Sequence, residues 1–406
     1  ETIYITHLGG KGLGIYLLSQ AVPSRTDPLG PENHLIFTVG PFTDSGIYGT
    51  NRYGVFAKSP LTGGYAESYS GGNVAPSIKR TGYDAVVIKG RSKHRVFLEI
   101  YEEGVKFHDA RHLWGLETYD AEDEMLRQVD QARAQAVVIG PAGENLVRFA
   151  CVENNYWRSA GRTGLGAVMG SKNLKGIVFH GENKTEFANR QDLRDYVRKF
   201  LKKHKDNAAV KSYRTYGTPA LVAIMNSCGG FPSNYWRKGV SDHWEKISAE
   251  YICSNLDVRA RTCPPCMLAC GKLTRVTSGP HKGLTLEGPE YETIFSFGGL
   301  CNITSLEDII YLNDLCDRYG LDTISAGNII AFAMYAEEKG MLQLPKCDSR
   351  SELVARLLRD ISFKRGLGKQ MAEGIRPFSE KIGLQDEAIH VKGLEPAGYD
   401  PRCLKG

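Results

Sequence analysis

A glycine-rich stretch with two arginines, residues 158–176, constrains this 406-residue chain more than any other segment. It contains five glycines, two arginines and two lysines. Glycine has no Cβ, so backbone N–H groups in such a stretch can close on phosphate oxygens. Arginine side chains add paired, charge-assisted hydrogen bonds to the same oxygens. The stretch therefore predicts loops that hold an anionic cofactor, with Arg158 and Arg162 as its charged contacts.

Three cysteines with C-x2-C-x3-C spacing form the second informative pattern, at Cys263, Cys266 and Cys270. A tight turn followed by a helical turn can bring three thiolates to one inorganic centre. A [4Fe–4S] cluster often takes its fourth thiolate from far away in the chain, so three local cysteines are compatible with such a cluster. A four-thiolate zinc site completed by Cys253 or Cys228 is an alternative that the spacing leaves open.

Composition and charge indicate which partners the protein can bind and in which cellular compartment it works. The net charge of +5 comes from 51 basic and 46 acidic residues that are dispersed along the chain, which argues against nucleic acid as a partner. No apolar run is long enough to span a membrane. Ten cysteines at irregular spacing, with no secretory leader pattern at the start, favour a reducing cytoplasm and cluster ligation over disulfides.

Two halves of different architecture are expected, which together give an α+β fold. Short β-branched runs separated by Gly, Pro and Asn predict a sheet-rich domain over residues 1–185, with one helix near 117–130. Helical periodicity then predicts a mainly helical domain over residues 186–406, with the cysteine loop at 253–272 as an irregular insertion. The expected strands lie at 35–39, 85–89, 96–100, 136–139 and 176–179, and the expected helices near 217–227, 305–319, 323–339, 351–362 and 368–382.

A second glycine-rich region spans residues 51–72. It predicts a second wall of the anion site, in which Arg52 reaches the ligand and Gly71 allows a close backbone approach. Ordinary hairpin turns are the alternative for this region.

Two acidic patterns in the second half carry further candidates. Glu290 or Glu292 could act as a general acid or base if partly desolvated beside a cofactor, although acids at a helix start are an equal alternative. Asp317 and Asp322 flank a glycine turn that ends a helix. Their carboxylates could accept hydrogen bonds from an N–H-rich heterocycle, whereas an ordinary helix C-cap is the alternative.

Taken together, these segments resemble the tungsten-containing aldehyde:ferredoxin oxidoreductase family over nearly the whole chain. The matching motifs follow one another along the chain in the order that the family shows. They are Gly9–Gly14, Lys58–Gly63, Gly140–Asn145, Arg158–Lys175, the cysteine triplet, Asp317–Asp322 and the segment Lys392-Gly-Leu-Glu-Pro.

The resemblance implies a tungsten, or less often molybdenum, ion held by two pterins beside one [4Fe–4S] cluster, with a magnesium ion bridging the pterin phosphates. It implies oxidation of an aldehyde to a carboxylic acid, with electrons leaving through the cluster to ferredoxin. Arg52 matches an arginine between pterin and cluster, and Asp317 and Asp322 match the first of two pterin-binding D-x-x-G-L motifs. The residues that match pterin- and phosphate-binding positions are Gly71, Arg158, Ser159, Gly161 and Arg162.

The sequence departs from the family pattern in two places. Tyr69 stands where the family usually has asparagine, in a stretch that approaches the magnesium through backbone carbonyls. Family chains also continue after Arg402 with a second D-x-x-G-L-C motif and the fourth cluster cysteine, for which Cys403 is a weak substitute. We therefore expect the chain to be truncated and incomplete as a catalyst, with a missing segment or a separate chain supplying the C-terminal part. A homodimer is the other partner that we consider.

The sequence thus predicts a cytoplasmic oxidoreductase that oxidises aldehydes and passes electrons to a ferredoxin-like carrier. One alternative keeps the fold and cofactor but reduces an acid or an aromatic acyl thioester. A second alternative is a zinc-stabilised binding protein without enzymatic activity.

Overall fold

The computed structural model describes residues 2–403 and divides the chain into two compact units. The first unit runs to Lys205 and also takes in residues 263–267 and 317–321. The second unit comprises residues 206–262, 268–316 and the chain from Asp322 onward. The sequence prediction placed the boundary at 185 and assigned both short segments to the second domain.

The first unit contains seven helices and ten strands among its described residues. They are α1 (Thr2–His7), α2 (Gly10–Ala21), β1 (Leu35–Val39), β2 (Tyr53–Lys58), β3 (Tyr65–Ser70), α3 (Val74–Arg80), β4 (Ala85–Ile88), β5 (Val96–Tyr101), β6 (Gly104–Asp109), α4 (Thr118–Val129), β7 (Gln135–Val138), α5 (Pro141–Glu144), β8 (Val152–Asn154), β9 (Arg158–Ala160), α6 (Leu165–Ser171), β10 (Leu174–Phe179) and α7 (Arg190–His204).

Two sheets organise this unit. The strands β3-β2-β1-β4 form a four-stranded antiparallel sheet. The strands β6-β5-β10-β7-β8-β9 form a six-stranded mixed sheet, in which only β5 and β10 are parallel. The short β8–β9 hairpin lies at one edge of the second sheet and carries Arg158 and Ser159.

Period-2 alternation explains the cores on the two faces of the six-stranded sheet. Ile177 and Phe179 of β10 pack with β1 and β2 in one buried cluster. Val178, which lies between them, packs with Met125 of α4 in a separate cluster on the opposite face. A strand buried on both faces reads as a continuous apolar run, which is why residues 176–179 were predictable.

The second unit contains nine helices and three strands among its described residues. They are α8 (Ala208–Tyr216), α9 (Leu221–Ser227), α10 (Ala249–Asn255), β11 (Asp257–Arg261), β12 (Gly271–Arg275), β13 (Thr285–Glu287), α11 (Tyr291–Thr293), α12 (Leu306–Tyr319), α13 (Thr323–Glu338), α14 (Arg350–Ser362), α15 (Gly368–Met371) and α16 (Ile375–Ile382). The C-terminal turn of α12 belongs to the first unit. A π-helical segment, Ile294–Leu300, follows α11.

Helix α13 forms much of the core of the second unit. Eleven of its sixteen residues are buried, and Phe332 packs edge-on against Phe378 of α16. Gly327 allows close packing here, because a Cβ at this position would lie 2.6 Å from the Cβ of Ser296 in the π-helical segment. A helix that is apolar on all sides is expected to be buried in this way.

The α+β prediction is confirmed, and every predicted strand and the helix near 117–130 are present. The prediction of an irregular insertion at 253–272 was wrong, because β11 and β12 flank the cysteine turn and pair with β13 in a three-stranded antiparallel sheet. The single helix expected over 368–382 was also wrong. Gly374, with a φ of 93°, separates α15 from α16.

Across residues 2–403, no helix combines the length and apolar character that crossing a membrane would require.

Candidate cofactor site

The glycine–arginine stretch folds as strand, turn, helix and strand. Its turn contains two residues in the left-handed region, Thr163 with φ 72° and Gly164 with φ 80°. A Cβ on Gly164 would lie 2.0 Å from the carbonyl oxygen of Arg148, so only glycine fits there. The sequence favours this turn because glycine adopts positive φ without steric cost.

Arg158 and Arg162 lie at the two ends of this loop, and both side chains are half-buried. Ser159, next to Arg158, donates a hydrogen bond to the buried carboxylate of Glu153 across the β8–β9 hairpin. The backbone N–H of Arg162 donates to the hydroxyl of Ser68 at 3.3 Å. Two partly exposed guanidinium groups on a backbone fixed in this way suit a ligand that carries phosphate oxygens.

The two glycine-rich regions contact each other. Besides the Ser68 contact, the hydroxyl of Ser59 donates to the carbonyl oxygen of Thr163 at 2.8 Å and is itself buried. The region around residues 59–72 is therefore the neighbour of the 158–164 loop, as the anion-site interpretation requires. It also contains the β2–β3 hairpin, so the alternative of hairpin turns applies to part of the same segment.

Tyr69 lies on β3, the edge strand of its sheet, and is 36% exposed. Its hydroxyl and that of Tyr65 both donate to Glu67, which also pairs with Lys11 at 2.7 Å. Burial opposes ionisation of Glu67, but these hydrogen bonds outweigh it and hold the pKa of the carboxyl below its usual value. The tyrosine that replaces the family's asparagine thus belongs to a local polar cluster.

The two lysines of the stretch stabilise the fold and do not face a ligand. Lys172 donates to the carbonyl oxygens of Asn33 and Gly90, and burial lowers its pKa to about 8. Lys175 is fully buried, pairs with Glu144 and donates to the carbonyl oxygen of Leu116 at 2.9 Å. Of the four basic residues of the stretch, only the two arginines therefore stay candidates for contacts to an anion.

The cysteine turn packs against the second glycine-rich region. The N–H of Cys266 donates to the carbonyl oxygen of Cys263 at 2.7 Å, which closes a tight turn. The N–H of Gly72 donates to Sγ of Cys263 at 3.2 Å, and a Cβ on Gly71 would lie 2.7 Å from the same sulfur. Gly71 therefore makes a close backbone approach, but the group it approaches is a cysteine sulfur.

A backbone N–H aimed at a cysteine sulfur is the environment that an iron–sulfur ligand needs, because such hydrogen bonds stabilise thiolate charge. This part of the site therefore fits the implied cluster. Across residues 2–403, no three His, Cys, Asp or Glu side chains are arranged to hold a metal ion. Convergence of Cys263, Cys266 and Cys270 on one centre thus stays a prediction, as does the pterin-binding role of the other residues.

Asn51 anchors the cysteine turn and was missed by sequence reasoning. Its side-chain amide donates to the carbonyl oxygen of Pro264 at 2.7 Å, and its own oxygen accepts the N–H of Asp44. Arg52, the predicted cofactor contact, is the next residue and is exposed. Arg52 therefore directly follows a residue that is hydrogen-bonded to the cysteine turn.

Asn154 and Asn155, at the end of β8 and in the turn that follows it, were also missed. The oxygen of Asn154 accepts hydrogen bonds from Tyr53 and Ser70, and its nitrogen donates to Gly71. The side-chain oxygen of Asn155 accepts the N–H of Asn73 at 2.9 Å. An Asn-Asn pair after a strand signals a turn, but nothing in the sequence shows that its side chains hold a loop 80 residues earlier.

Glu122 of α4 stabilises the same turn through hydrogen bonds to its backbone. Its carboxylate accepts the N–H groups of Asn155 and Tyr156 at 2.8 and 3.0 Å, and both residues have positive φ. Burial raises the pKa of Glu122 to about 7 even though these hydrogen bonds favour its charged form. The turn before Arg158 therefore depends on a buried, titratable group.

The turn around Asp317 belongs to the first unit and packs closely against that unit's other loops. Asp317 is buried, its carbonyl oxygen accepts the hydroxyl of Thr118 at 2.7 Å, and Gly320 has a φ of 72°. A Cβ on Gly140 would lie 2.4 Å from the carbonyl oxygen of Tyr319, so the two matched motifs meet through their backbones. Gly320 therefore ends α12 as the C-cap alternative expects, and the same turn also contacts Gly140.

Asp322 belongs to the second unit and caps α13. Its carboxylate accepts the N–H of Ile324 and the hydroxyl of Ser325, both at 2.9 Å. The alternative of a capping role thus holds for Asp322, at a helix N-terminus rather than the expected C-terminus. Capping and binding of a heterocycle are compatible, because a carboxylate has several acceptor positions.

Glu290 and Glu292 lie in the second unit and are both half-buried. Glu290 accepts a hydrogen bond from the hydroxyl of Thr218, and Glu292 accepts the N–H of Gly398 at 2.9 Å. Tyr291, between them, is buried and donates to the carbonyl oxygen of Gly398. Both carboxylates are therefore held in fixed positions.

Ten cysteines are free thiols, and three of them, Cys151, Cys301 and Cys316, are buried. Cys403 lies beside Cys228, since a Cβ on Gly230 would lie 2.9 and 3.3 Å from their two sulfurs. Cys253 is exposed and its sulfur approaches the carbonyl oxygen of Thr215.

Hydrogen bonds connect the arginine-bearing glycine loops to the cysteine turn, an arrangement that fits an oxidoreductase with an anionic cofactor beside an iron–sulfur centre. Residues 1–181 match the family description "Aldehyde ferredoxin oxidoreductase, N-terminal domain", and residues 195–406 match "Aldehyde ferredoxin oxidoreductase, domains 2 & 3". The chain belongs to the aldehyde ferredoxin oxidoreductase family.

Two curated relatives and one solved structure support this assignment. The tungsten-containing aldehyde ferredoxin oxidoreductases of Thermococcus kodakarensis and Pyrococcus furiosus are 38% and 37% identical to the chain, over 98% of it and 67% of each relative. The active-site complex BamBC of benzoyl coenzyme A reductase superposes with a TM-score of 0.85 and 27% identity, over 98% of this chain and 63% of that one. The chain thus spans about two thirds of its relatives.

These comparisons confirm the predicted family, the fold class and the assignment as an oxidoreductase. They support aldehyde oxidation by a tungsten-pterin enzyme. They give no support to the alternative of a zinc-stabilised protein without activity.

Proposed function

We propose that this chain forms the cofactor-holding part of an aldehyde oxidoreductase that converts aldehydes to carboxylic acids. The observation that carries the proposal is one connected set of contacts, from Arg162 through Ser68 on β3 to the Gly72 N–H on Cys263. It connects the predicted anion-binding loop to the predicted cluster cysteine. The named relatives supply the reaction class.

We assign the residues as follows. Arg158 and Arg162 would hold the phosphate groups of two pterins together with a magnesium ion, and Ser159 and Gly161 would shape the loop between the two arginines. Arg52 would contact both pterin and cluster, and Gly71 would let the backbone approach the bound groups closely. Asp317 and Asp322 would accept hydrogen bonds from pterin N–H groups. Cys263, Cys266 and Cys270 would hold a [4Fe–4S] cluster together with a fourth ligand from elsewhere, and the cluster would supply one-electron transfer.

When bound, the tungsten or molybdenum pterin would take up the two electrons that leave the aldehyde. The balance is one aldehyde and one water giving one carboxylic acid, two electrons and two protons. Glu290 or Glu292 accepts one of these protons, because each is a half-buried carboxylate that a hydrogen bond holds in position. The electrons pass to a ferredoxin-like carrier, and the compartment is the cytoplasm.

A second candidate function is reduction of an aromatic acyl thioester, and the similarity to the benzoyl coenzyme A reductase complex favours it. The higher identity to aldehyde oxidoreductases makes aldehyde oxidation the better supported of the two.

The deciding experiment compares both reactions on the metal-loaded protein. Oxidised methyl viologen is supplied with a panel of aliphatic and aromatic aldehydes, and reduced dye is supplied with benzoyl coenzyme A. Aldehyde-dependent dye reduction supports the proposal. Dye oxidation that depends on the thioester, without any aldehyde activity, would assign the second function instead.

A further inference from the structure

A wide cleft of the first unit, which we call the basic groove, adjoins the cysteine turn. It encloses about 730 Å³. Its walls come from α3, the segment 182–187, the first turns of α7 and the two prolines Pro264 and Pro265. All of these residues belong to one unit of the fold, and none of them has a role in the function proposed above.

Positive charge dominates the basic groove. Five basic side chains and two carboxylates line it. Asp44 neutralises Arg80 through two N–O contacts of 3.0 Å, whereas Arg133 approaches Glu182 only to 3.9 Å. An exposed pair at that distance contributes little.

Three further cations of the groove have no carboxylate partner. Within the described residues 2–403, Lys184, Arg190 and Arg194 form no salt bridge. Arg190 donates only to the carbonyl oxygen of Thr185, at 2.6 Å. Three cations in one groove repel each other unless an anionic partner approaches, so the groove is suited to such a partner.

These cations do not serve the packing of α7. The helix has fifteen residues, none of them buried. Arg190 and Arg194 are four residues apart and so lie on one face of the helix. Phe187 and Leu193 add half-buried apolar surface inside the same groove. A cationic rim around apolar surface is typical of a protein-binding site.

The groove ends directly at the predicted cluster. Pro264 and Pro265 line it and are the two residues between Cys263 and Cys266. Asn51, which also lines the groove, fixes Pro264 through its 2.7 Å hydrogen bond. A partner seated in the groove would therefore contact the turn that carries two of the predicted cluster ligands, and this turn is held rigidly.

We propose that the basic groove is the docking site for an acidic electron-transfer protein. This inference rests on the function proposed above, since it needs an electron-carrying cluster at the cysteine turn. Lys184, Arg190 and Arg194 attract and orient the carrier, and Pro264–Pro265 forms the contact nearest the cluster. In each encounter one electron leaves through the cysteine turn and the oxidised carrier is reduced by one electron, with no bond made or broken.

The test is a binding measurement with a small acidic [4Fe–4S] ferredoxin as the probe. Isothermal titration at low ionic strength compares the parent protein with a triple variant, Lys184→Glu, Arg190→Glu and Arg194→Glu. The matched control is Arg198→Glu, Lys199→Glu and Lys202→Glu, which makes the same total charge change at positions of α7 that do not line the groove. We expect the groove variant to bind at least about tenfold more weakly, and the control to stay within about threefold. The affinity of the parent protein falls with added salt.

Equal losses in both variants would show unspecific charge attraction and overturn the proposal. So would unchanged binding by the groove variant, or no binding by the parent protein. A fourth contrary result is loss of nucleotide or pyrophosphate binding in the groove variant while ferredoxin binding is kept, which would assign the groove to a small anion.

Aldehyde-dependent reduction of methyl viologen separates this inference from the proposed function. The dye needs no docking site, so both variants should keep the parent rate. Absence of dye reduction in the parent protein would count against the proposed function, whereas intact dye reduction with unchanged ferredoxin affinity would count against the groove alone.

Discussion

Glu122 is a buried carboxyl group that supports the turn before Arg158. It accepts the N–H groups of Asn155 and Tyr156, and burial raises its pKa to about 7. The folded protein therefore holds this proton more tightly than the unfolded chain, whose carboxyl titrates near 4.5. The stabilising effect of the bound proton is complete below that pH and is lost as the pH rises through about 7.

The substitution Glu122→Gln should remove this pH dependence. The two carboxylate oxygens of Glu122 each accept one N–H group, so the amide oxygen of glutamine can keep only one of these contacts. The variant is therefore less stable than the protonated parent by an amount that does not depend on pH, because glutamine cannot ionise. Between pH 5 and pH 8, the free energy of unfolding of the parent protein should fall relative to the variant by roughly 3 kcal/mol. Urea unfolding at several pH values measures the difference.

Glu124→Gln is the matched control for Glu122→Gln, because Glu124 is on the same helix and pairs with Arg127 at the surface. The free energy of unfolding of Glu124→Gln should change with pH in parallel with that of the parent protein over this range, since the arginine keeps the pKa of Glu124 low. A Glu122→Gln profile that is also parallel would contradict the account.

Arg158→Ala should lower the amount of metallopterin bound per chain severalfold, because one of two phosphate-binding guanidinium groups is lost. Tungsten and molybdenum content, with pterin fluorescence after oxidation, gives the occupancy. Arg127→Ala is the control, since Arg127 is exposed and pairs only with a neighbour on its own helix. Full occupancy in Arg158→Ala would remove this arginine from the site.

At the scale of elements, the loop between β9 and α6 depends on one close backbone contact. Gly164→Ala brings a Cβ to 2.0 Å from the carbonyl oxygen of Arg148, in addition to the strain of a φ of 80°. We expect a loss of several kcal/mol in the free energy of unfolding, together with a lower cofactor content.

Gly49→Ala isolates the clash from the strain. Gly49 has the same φ of 80°, but a Cβ there meets nothing within 4 Å. This control should cost about 1 kcal/mol in thermal or urea unfolding. Equal losses in the two variants would show that backbone strain, rather than the contact with Arg148, makes glycine necessary at position 164.

Strands that are buried could be predicted from the sequence, whereas an exposed strand could not. β1 and β10 are buried along their whole length, so their continuous apolar runs were visible in the sequence. β11 has the sequence Asp-Val-Arg-Ala-Arg and is largely exposed, so it shows no such run. Its strand conformation comes from pairing with β12, which is a tertiary effect that local patterns do not record.

At the scale of the whole molecule, the sequence alone pointed to candidate site residues where one residue type would carry the chemistry. The arginines and cysteines stand out by charge and spacing, and the structure places Gly71 against Cys263. The asparagine side chains that hold the loops of the site in place were not predictable from the sequence. Asn51 reaches Pro264 across 213 residues, and Asn154 reaches Ser70 across 84, so only the fold shows these contacts.

The tertiary contacts also changed the roles of residues that the sequence grouped together. Lys172 and Lys175 share a segment with Arg158 and Arg162, but hydrogen bonds and an ion pair bury both lysines in the fold. Charge in a glycine-rich stretch therefore did not by itself identify a ligand contact. Burial separated the two lysines, which stabilise the fold, from the two half-buried arginines that we assign to the cofactor.

The central claim is that one metallopterin and one [4Fe–4S] cluster occupy this chain. Elemental analysis of protein purified without oxygen, with the chain length checked by intact mass, tests it most directly. We predict about one tungsten or molybdenum and about four iron atoms per chain. Zinc as the sole bound metal, at about one per chain, would contradict the account and restore a structural role for the cysteine turn.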